Sequence, residues 1–144
     1  MQTVNDLLKT KGPQVWSLDY QATLSDALTM MAGKDIGALP ILKEEKLVGI
    51  FSERDYARRV AKMGSCTLST PITELMTSKV FIVKPTCTIE ECMSIMTNRH
   101  IRHLPVLEKN RLVGIVSIGD VVKGVISTQK DLINQLEEYI QGKW

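Results

Sequence analysis

The sequence states the same pattern twice. Residues 36–55, Ile36-Gly-Ala-Leu-Pro-Ile-Leu-Lys-Glu-Glu-Lys-Leu-Val-Gly-Ile-Phe-Ser-Glu-Arg-Asp55, align without a gap on residues 101–120, and 10 of the 20 positions are identical. The offset of 65 continues upstream: Val15-Trp16-Ser17-Leu18 meets Val80-Phe81-Ile82-Val83, and Thr23-Leu24-Ser25-Asp26 meets Thr88-Ile89-Glu90-Glu91. Asp6-Leu7-Leu8 matches Glu74-Leu75-Met76 at an offset of 68, so the connection after the opening segment is three residues longer in the first copy. A unit repeated in this way leaves apolar faces that its neighbour has to cover.

Each copy reads in one order. An opening helix comes first, marked by Thr3-x-x-Asp6 in one copy and by Thr70 with Pro71 at the first helical position in the other. A short strand is expected over 15–18 and 80–83. An amphipathic helix follows, with Leu24, Ala27, Leu28 and Met31 in one copy and Ile89, Cys92, Met93 and Met96 in the other, spaced i, i+3, i+4, i+7. Two apolar strands then form a hairpin, 38–42 with 47–51 and 103–107 with 112–116, around charged turns. Ser52 and Ser117 suit the N-cap of a final helix.

The unit is α-β-α-β-β-α, an α/β (α+β) arrangement. About 60 residues is a marginal size for an independent core, so two copies packed sheet to sheet are expected as one pseudo-symmetric module. The boundaries read as repeat one over 3–62, a linker over 61–70, repeat two over 71–127 and a C-terminal amphipathic helix within 128–144. That last helix carries Leu132, Ile133, Leu136 and Ile140 on one face.

Composition narrows the function. Lys and Arg number 18 against 16 Asp and Glu, a net charge of +2, which offers no broad basic footprint for nucleic acid. No apolar run is long enough for a membrane helix, and residues 1–6 lack the features of a secretory signal. Cys66, Cys87 and Cys92 lack CxxC spacing and read as reduced thiols of a cytoplasmic protein. His100 and His103 have no Cys or carboxylate to complete a metal set, so no metal is expected. Met30, Met31, Met93 and Met96 read as core filler. No P-loop, nucleophile elbow or His–Cys arrangement appears, so no enzyme is expected.

The run Gly-h-h-Ser-x-x-Asp (h, hydrophobic) occurs as Gly49-Ile50-Phe51-Ser52-Glu53-Arg54-Asp55 and as Gly114-Ile115-Val116-Ser117-Ile118-Gly119-Asp120. Where a strand becomes a helix, free N–H groups and the positive dipole end face an anion. A carboxylate three residues on can accept from both ribose hydroxyls, as in dinucleotide-binding folds. Ser-x-x-Asp is equally an ordinary capping box, and one copy alone would be read that way.

Together with Leu39-Pro40-Ile41 and Leu104-Pro105-Val106, these runs make residues 3–126 resemble a tandem CBS-domain pair, or Bateman module. The resemblance implies regulatory binding of an adenine nucleotide (AMP, ADP, ATP, NAD or S-adenosylmethionine) in clefts between the repeats. It also implies association of modules, here a homodimer, and a signal passed to a protein partner in trans. In such families a basic pair before the Leu-Pro strand reaches the phosphates held by the Asp of its own repeat. Carried over, Arg102 and His103 join Asp120, Ser117, Ile115 and Gly119 in the main cleft. Ile36, Gly37, Ala38, Trp16 and Leu18 approach it from the other repeat. Gly37 and Ala38 stand where repeat two has the basic pair, so the second cleft is expected to be the weaker one. It would hold Ser52, Asp55, Arg54, Arg58, Lys79 and Phe81, with Arg54, Arg58 and Arg59 equally readable as a solvated helix face. The alternative is a structural or dimerisation module with vestigial clefts.

Overall fold

Reciprocal capping sets where the helices begin. In the computed structural model, which describes residues 2–65 and 67–142, the Asp6 carboxylate accepts from the Thr3 amide at 2.9 Å. Thr23, Ser52, Thr88 and Ser117 each accept from the amide three residues on, while the carboxylate there accepts from the cap amide. The resulting helices are α1 (Val4–Lys11), α2 (Leu24–Lys34), α3 (Glu53–Met63), α4 (Ile89–Arg99) and α5 (Ile118–Ile140). Asp35 and His100, 65 residues apart, close α2 and α4 with the same left-handed φ of 54°.

The hairpins form as the pattern requires. β2 (Ala38–Lys43) pairs antiparallel with β3 (Lys46–Ser52), and β4 (His103–Glu108) with β5 (Arg111–Ser117). Glu44-Glu45 and Lys109-Asn110 are two-residue turns with positive φ at both positions, which matches the right-handed twist of the strands. Each hairpin carries an irregularity at the same point, Ile41/Leu42 and Val106/Leu107. β1 is only Leu18–Asp19, parallel to β2. Instead of a strand over 80–83, Val83 makes a single parallel bridge to Val106.

The contiguous unit read from the sequence is not the packing unit, because the two copies exchange their opening segments. Val4 and Leu7 of α1 are buried in the core of the second copy, with Leu104, Val106, Val116 and Val121. The Val4 amide donates to the Cys87 carbonyl at 2.8 Å. In return, Ile72 and Leu75 are buried in the first core with Leu39, Ile41 and Phe51, and the Ile72 amide donates to the Ala22 carbonyl at 2.9 Å. This second opening segment is a three-residue 3-10 turn, Ile72–Glu74, with Pro71 as its cap rather than its first helical residue.

The exchange explains the glycine of each repeated run. A Cβ on Gly49 would lie 2.9 Å from Met76 Cγ and 3.0 Å from the Thr77 carbonyl oxygen; on Gly114 it would lie 2.6 Å from Leu8 Cδ2. The incoming segment rests on bare backbone. The two sheets face each other through β3 and β5.

Two further expectations change. The segment over 131–140 is not a separate helix: α5 runs unbroken past 128, and Leu132, Ile133, Leu136 and Ile140 are exposed along its outer half. Met93 is exposed, whereas Met31 and Met96 are buried as core filler. Cys87 and Cys92 are free thiols with sulfurs 3.8 Å apart, and burial pushes Cys92 up to about 12. Cys66 and residues 143–144 of the expected C-terminal segment lie outside the described residues. Among those described, no helix is long and apolar enough to cross a membrane.

Because Gly49 meets main chain as well as Met76, Gly49→Val should lower stability by about 1–3 kcal/mol in urea denaturation. An unchanged midpoint would show that the exchanged segment does not press on β3.

Candidate ligand clefts between the repeats

The cleft beside Asp55 is a cavity of about 210 Å³ between the repeats. On the first-repeat side stand Ser52, Glu53, Arg54, Asp55 and Arg58, placed by the β3–α3 junction. The chain entering the second repeat supplies Thr77, Lys79, Val80 and Phe81, and the segment from the end of α4 into the first residue of β4 supplies His100, Ile101, Arg102 and His103. Ser52, Asp55, Arg54, Arg58, Lys79 and Phe81, expected in the weaker cleft, are all brought together here.

Asp55 is held firmly. Its Oδ2 accepts from the Ser52 amide and hydroxyl, both at 2.9 Å, and its Oδ1 accepts from the Thr77 hydroxyl at 3.0 Å. Arg54 bridges the repeats by donating to the His100 carbonyl at 2.6 Å. Phe81 lies under the Arg99 guanidinium, 4.8 Å from ring centroid to Cζ. Arg54, Arg58, Lys79 and Arg102 oppose Glu53 and Asp55 around the cavity, so its lining favours an anion.

The basic pair lines the cavity that was expected to lack one. Arg102 and His103 line the Asp55 cavity, and His103 also lies within electrostatic reach of Lys11 and Asp120. The Ile118 amide donates to the Arg102 carbonyl at 2.8 Å, which fixes that backbone to its own α5. Gly37 also lines this cavity, and a Cβ there would sit 3.5 Å from the His103 ring, so the missing side chain makes room for the imidazole. Burial, then the Lys11 charge, holds His103 below the usual imidazole range, against the opposing pull of Asp120.

The remaining residues expected near Asp120 have other tasks. Leu18 and Ala38 are buried in the first repeat, Ile36 packs on that core, and Trp16 packs on it under the Lys34 ammonium, 4.1 Å from the ring centroid. Ser117 caps α5, and Gly119 is exposed in its first turn. Asp120 Oδ2 accepts from the Ser117 amide at 2.9 Å and from Lys11 Nζ at 2.9 Å; the same ammonium donates to the Ile115 carbonyl at 2.8 Å. Burial alone would raise the Asp120 carboxyl, but the Ser117 amide and Lys11 outweigh it and hold the group below the usual range.

Sequence reasoning missed Lys11 and Thr77. Both belong to exchanged opening segments, and the only available signal was the three-residue difference in the connection that follows them. It missed Glu53, His100 and Ile101 as lining residues because only packing shows which backbone faces the cavity.

The CBS-domain family model matches residues 4–62 and 72–127. The chain belongs to the CBS-domain family. It is 35% identical over 150 residues to the CBS domain-containing protein CBSX3, mitochondrial, of Arabidopsis thaliana, covering 97% of this chain and 72% of that protein. The crystal structure of the CBS domain NE2398 is 40% identical with a TM-score of 0.82, over 87% of this chain and 98% of that one. The CBS pair of MJ0100, crystallised with 5′-methylthioadenosine and S-adenosyl-L-methionine, is 25% identical with a TM-score of 0.78, over 89% and 98% of the two chains. The two repeats are therefore a CBS pair, the architecture of a ligand-binding regulatory module.

The depressed Asp120 carboxyl carries a sign. Its contribution to stability is present above the unfolded value of about 3.9 and lost as pH falls through the lower folded value. Asp120→Asn should flatten the acid limb of a urea-midpoint profile below about pH 5. Superimposable limbs would remove Asp120 from the acid response.

Proposed function

We propose that this CBS pair is an adenine-nucleotide sensor whose ligand enters the Asp55 cleft, with AMP, ADP, ATP or NAD as the ligand class. The observation that carries the reading is the cavity itself, where a capped, hydrogen-bonded aspartate faces a cluster of cations. Asp55 receives the ribose hydroxyls. Arg102 and Lys79 receive phosphate, for which a guanidinium offers a paired donor geometry. Val80, Ile101 and Phe81 supply apolar surface for the adenine ring. The adenosine-containing ligands of MJ0100 support the nucleoside half of this reading, and the cationic lining supports the phosphates.

The role is regulatory rather than catalytic. In this reading the protein is a cytoplasmic homodimer that transmits occupancy as conformation or assembly to a partner protein. The mechanism follows from position: the ligand would touch β3–α3 of one repeat and the α4–β4 segment of the other, so binding draws the repeats together across the cavity. A ligand shifts that equilibrium only by its difference in affinity for the two arrangements. A second reading, an assembly module with unused clefts, is favoured by the exposed apolar residues of α5.

Thermal unfolding with AMP, ADP, ATP and NAD tests the choice. At 100 times its dissociation constant, a ligand specific for the folded state adds about 2.7 kcal/mol and raises Tm. Arg102→Ala should weaken AMP binding about 10- to 100-fold, the worth of a hydrogen bond to a charged group. Flat curves with all four nucleotides would leave the assembly reading.

His103 adds a pH signature. It is held below its ordinary value of 6.5, so it enters binding largely neutral at pH 7, and a nearby phosphate favours its charged form. AMP should therefore bind with proton uptake and more tightly as pH falls from about 8 to 6. His103→Gln should reduce that dependence, measured by calorimetry in buffers of different ionisation heat.

A further inference from the structure

Beyond the basic pair, the two clefts differ in what meets the aspartate of their repeated frame. Beside Asp55, Thr77 makes two contacts: its amide donates to the Ile50 carbonyl at 2.8 Å and its hydroxyl to Asp55 Oδ1 at 3.0 Å. The residues equivalent to Ile50 and Asp55 are Ile115 and Asp120, each 65 positions on. There a single ammonium reaches the corresponding carbonyl and carboxylate, Lys11 Nζ donating to the Ile115 carbonyl at 2.8 Å and to Asp120 Oδ2, the capping oxygen, at 2.9 Å. Lys11 is the last residue of α1, and Thr77 follows the much shorter 3-10 turn, so the longer opening helix brings a side chain to the place that main chain fills in the other cleft.

The chemical consequence is unequal. A hydroxyl donor leaves the Asp55 carboxylate charged and able to accept further hydrogen bonds. An ammonium neutralises Asp120, sharing Oδ2 with the Ser117 amide that caps α5. Lys11 is one-third exposed and is attached by a flexible stem, so the plug is removable, whereas the Thr77 main chain is not.

We propose that Lys11 is a built-in occupant of the Asp120 cleft and the residue that decides which of the two clefts takes ligand. This rests on the reading that a carboxylate in this frame binds an adenosine ribose. With Lys11 in place the module takes one adenosine-class ligand per chain, at Asp55. Without it, the Asp120 cleft accepts a second.

Calorimetric titration of the full chain with adenosine tests this, because an uncharged probe removes any general effect of deleting a cation. Wild type should bind one adenosine per chain, Lys11→Met two, and Lys11→Arg, which keeps the cation, one. Affinity at Asp120 should rise about 10- to 100-fold in Lys11→Met, the worth of the hydrogen bonds to the charged group that ligand no longer has to displace. Adding Asp120→Asn to Lys11→Met should return the count to one. One site in both wild type and Lys11→Met overturns the proposal and leaves the Asp55 reading intact. No site in wild type but one in Lys11→Met, lost with Asp120→Asn, supports the proposal and removes the Asp55 reading. No binding in either protein overturns both.

Discussion

Everything in this molecule depends on two opening segments lying across the wrong repeat. Leu8 rests over Gly114 and Met76 over Gly49, each so close that a single methyl group on the glycine would collide. The contact closes both cores, since Val4 and Leu7 complete one while Ile72 and Leu75 complete the other. Neither repeat then has a complete core of its own, which fits the marginal size of a single unit. The exchange also delivers Thr77 to Asp55 and Lys11 to Asp120, so the same packing step that makes the fold cooperative furnishes both clefts.

The clefts show how duplication yields inequality. The capping frames repeat: Ser52 with Asp55, and Ser117 with Asp120, each form a reciprocal capping box. What differs are the visitors. One aspartate meets a hydroxyl and a rim of arginine, lysine and histidine; the other meets an ammonium. Electrostatics rather than fold separates an open anion-favouring cavity from a neutralised pair.

Much of the fold was legible in the residues. The caps, the amphipathic stripes, the hairpins and their turns are local, each decided by neighbours within a few positions. The strands over 15–18 and 80–83 were less so: one shrinks to Leu18–Asp19 and the other to a single bridge at Val83. Of the site, the residues around Asp55 were recognisable as a group. Arg102 and His103 were recognisable as a basic pair but assigned to the cleft of their own repeat.

The sequence by itself determined that there are two copies, where most helices and strands begin, and that Ser-x-x-Asp stands at a strand-to-helix junction in each. These are matters of local hydrogen bonding and periodicity, which a linear pattern records. Only the tertiary structure decided which cleft receives Arg102 and His103, and that Lys11 reaches Asp120 from more than a hundred residues away. Those outcomes depend on how two similar units face one another. An internal repeat specifies that they match, and the packing of side chains against bare glycine backbone specifies how.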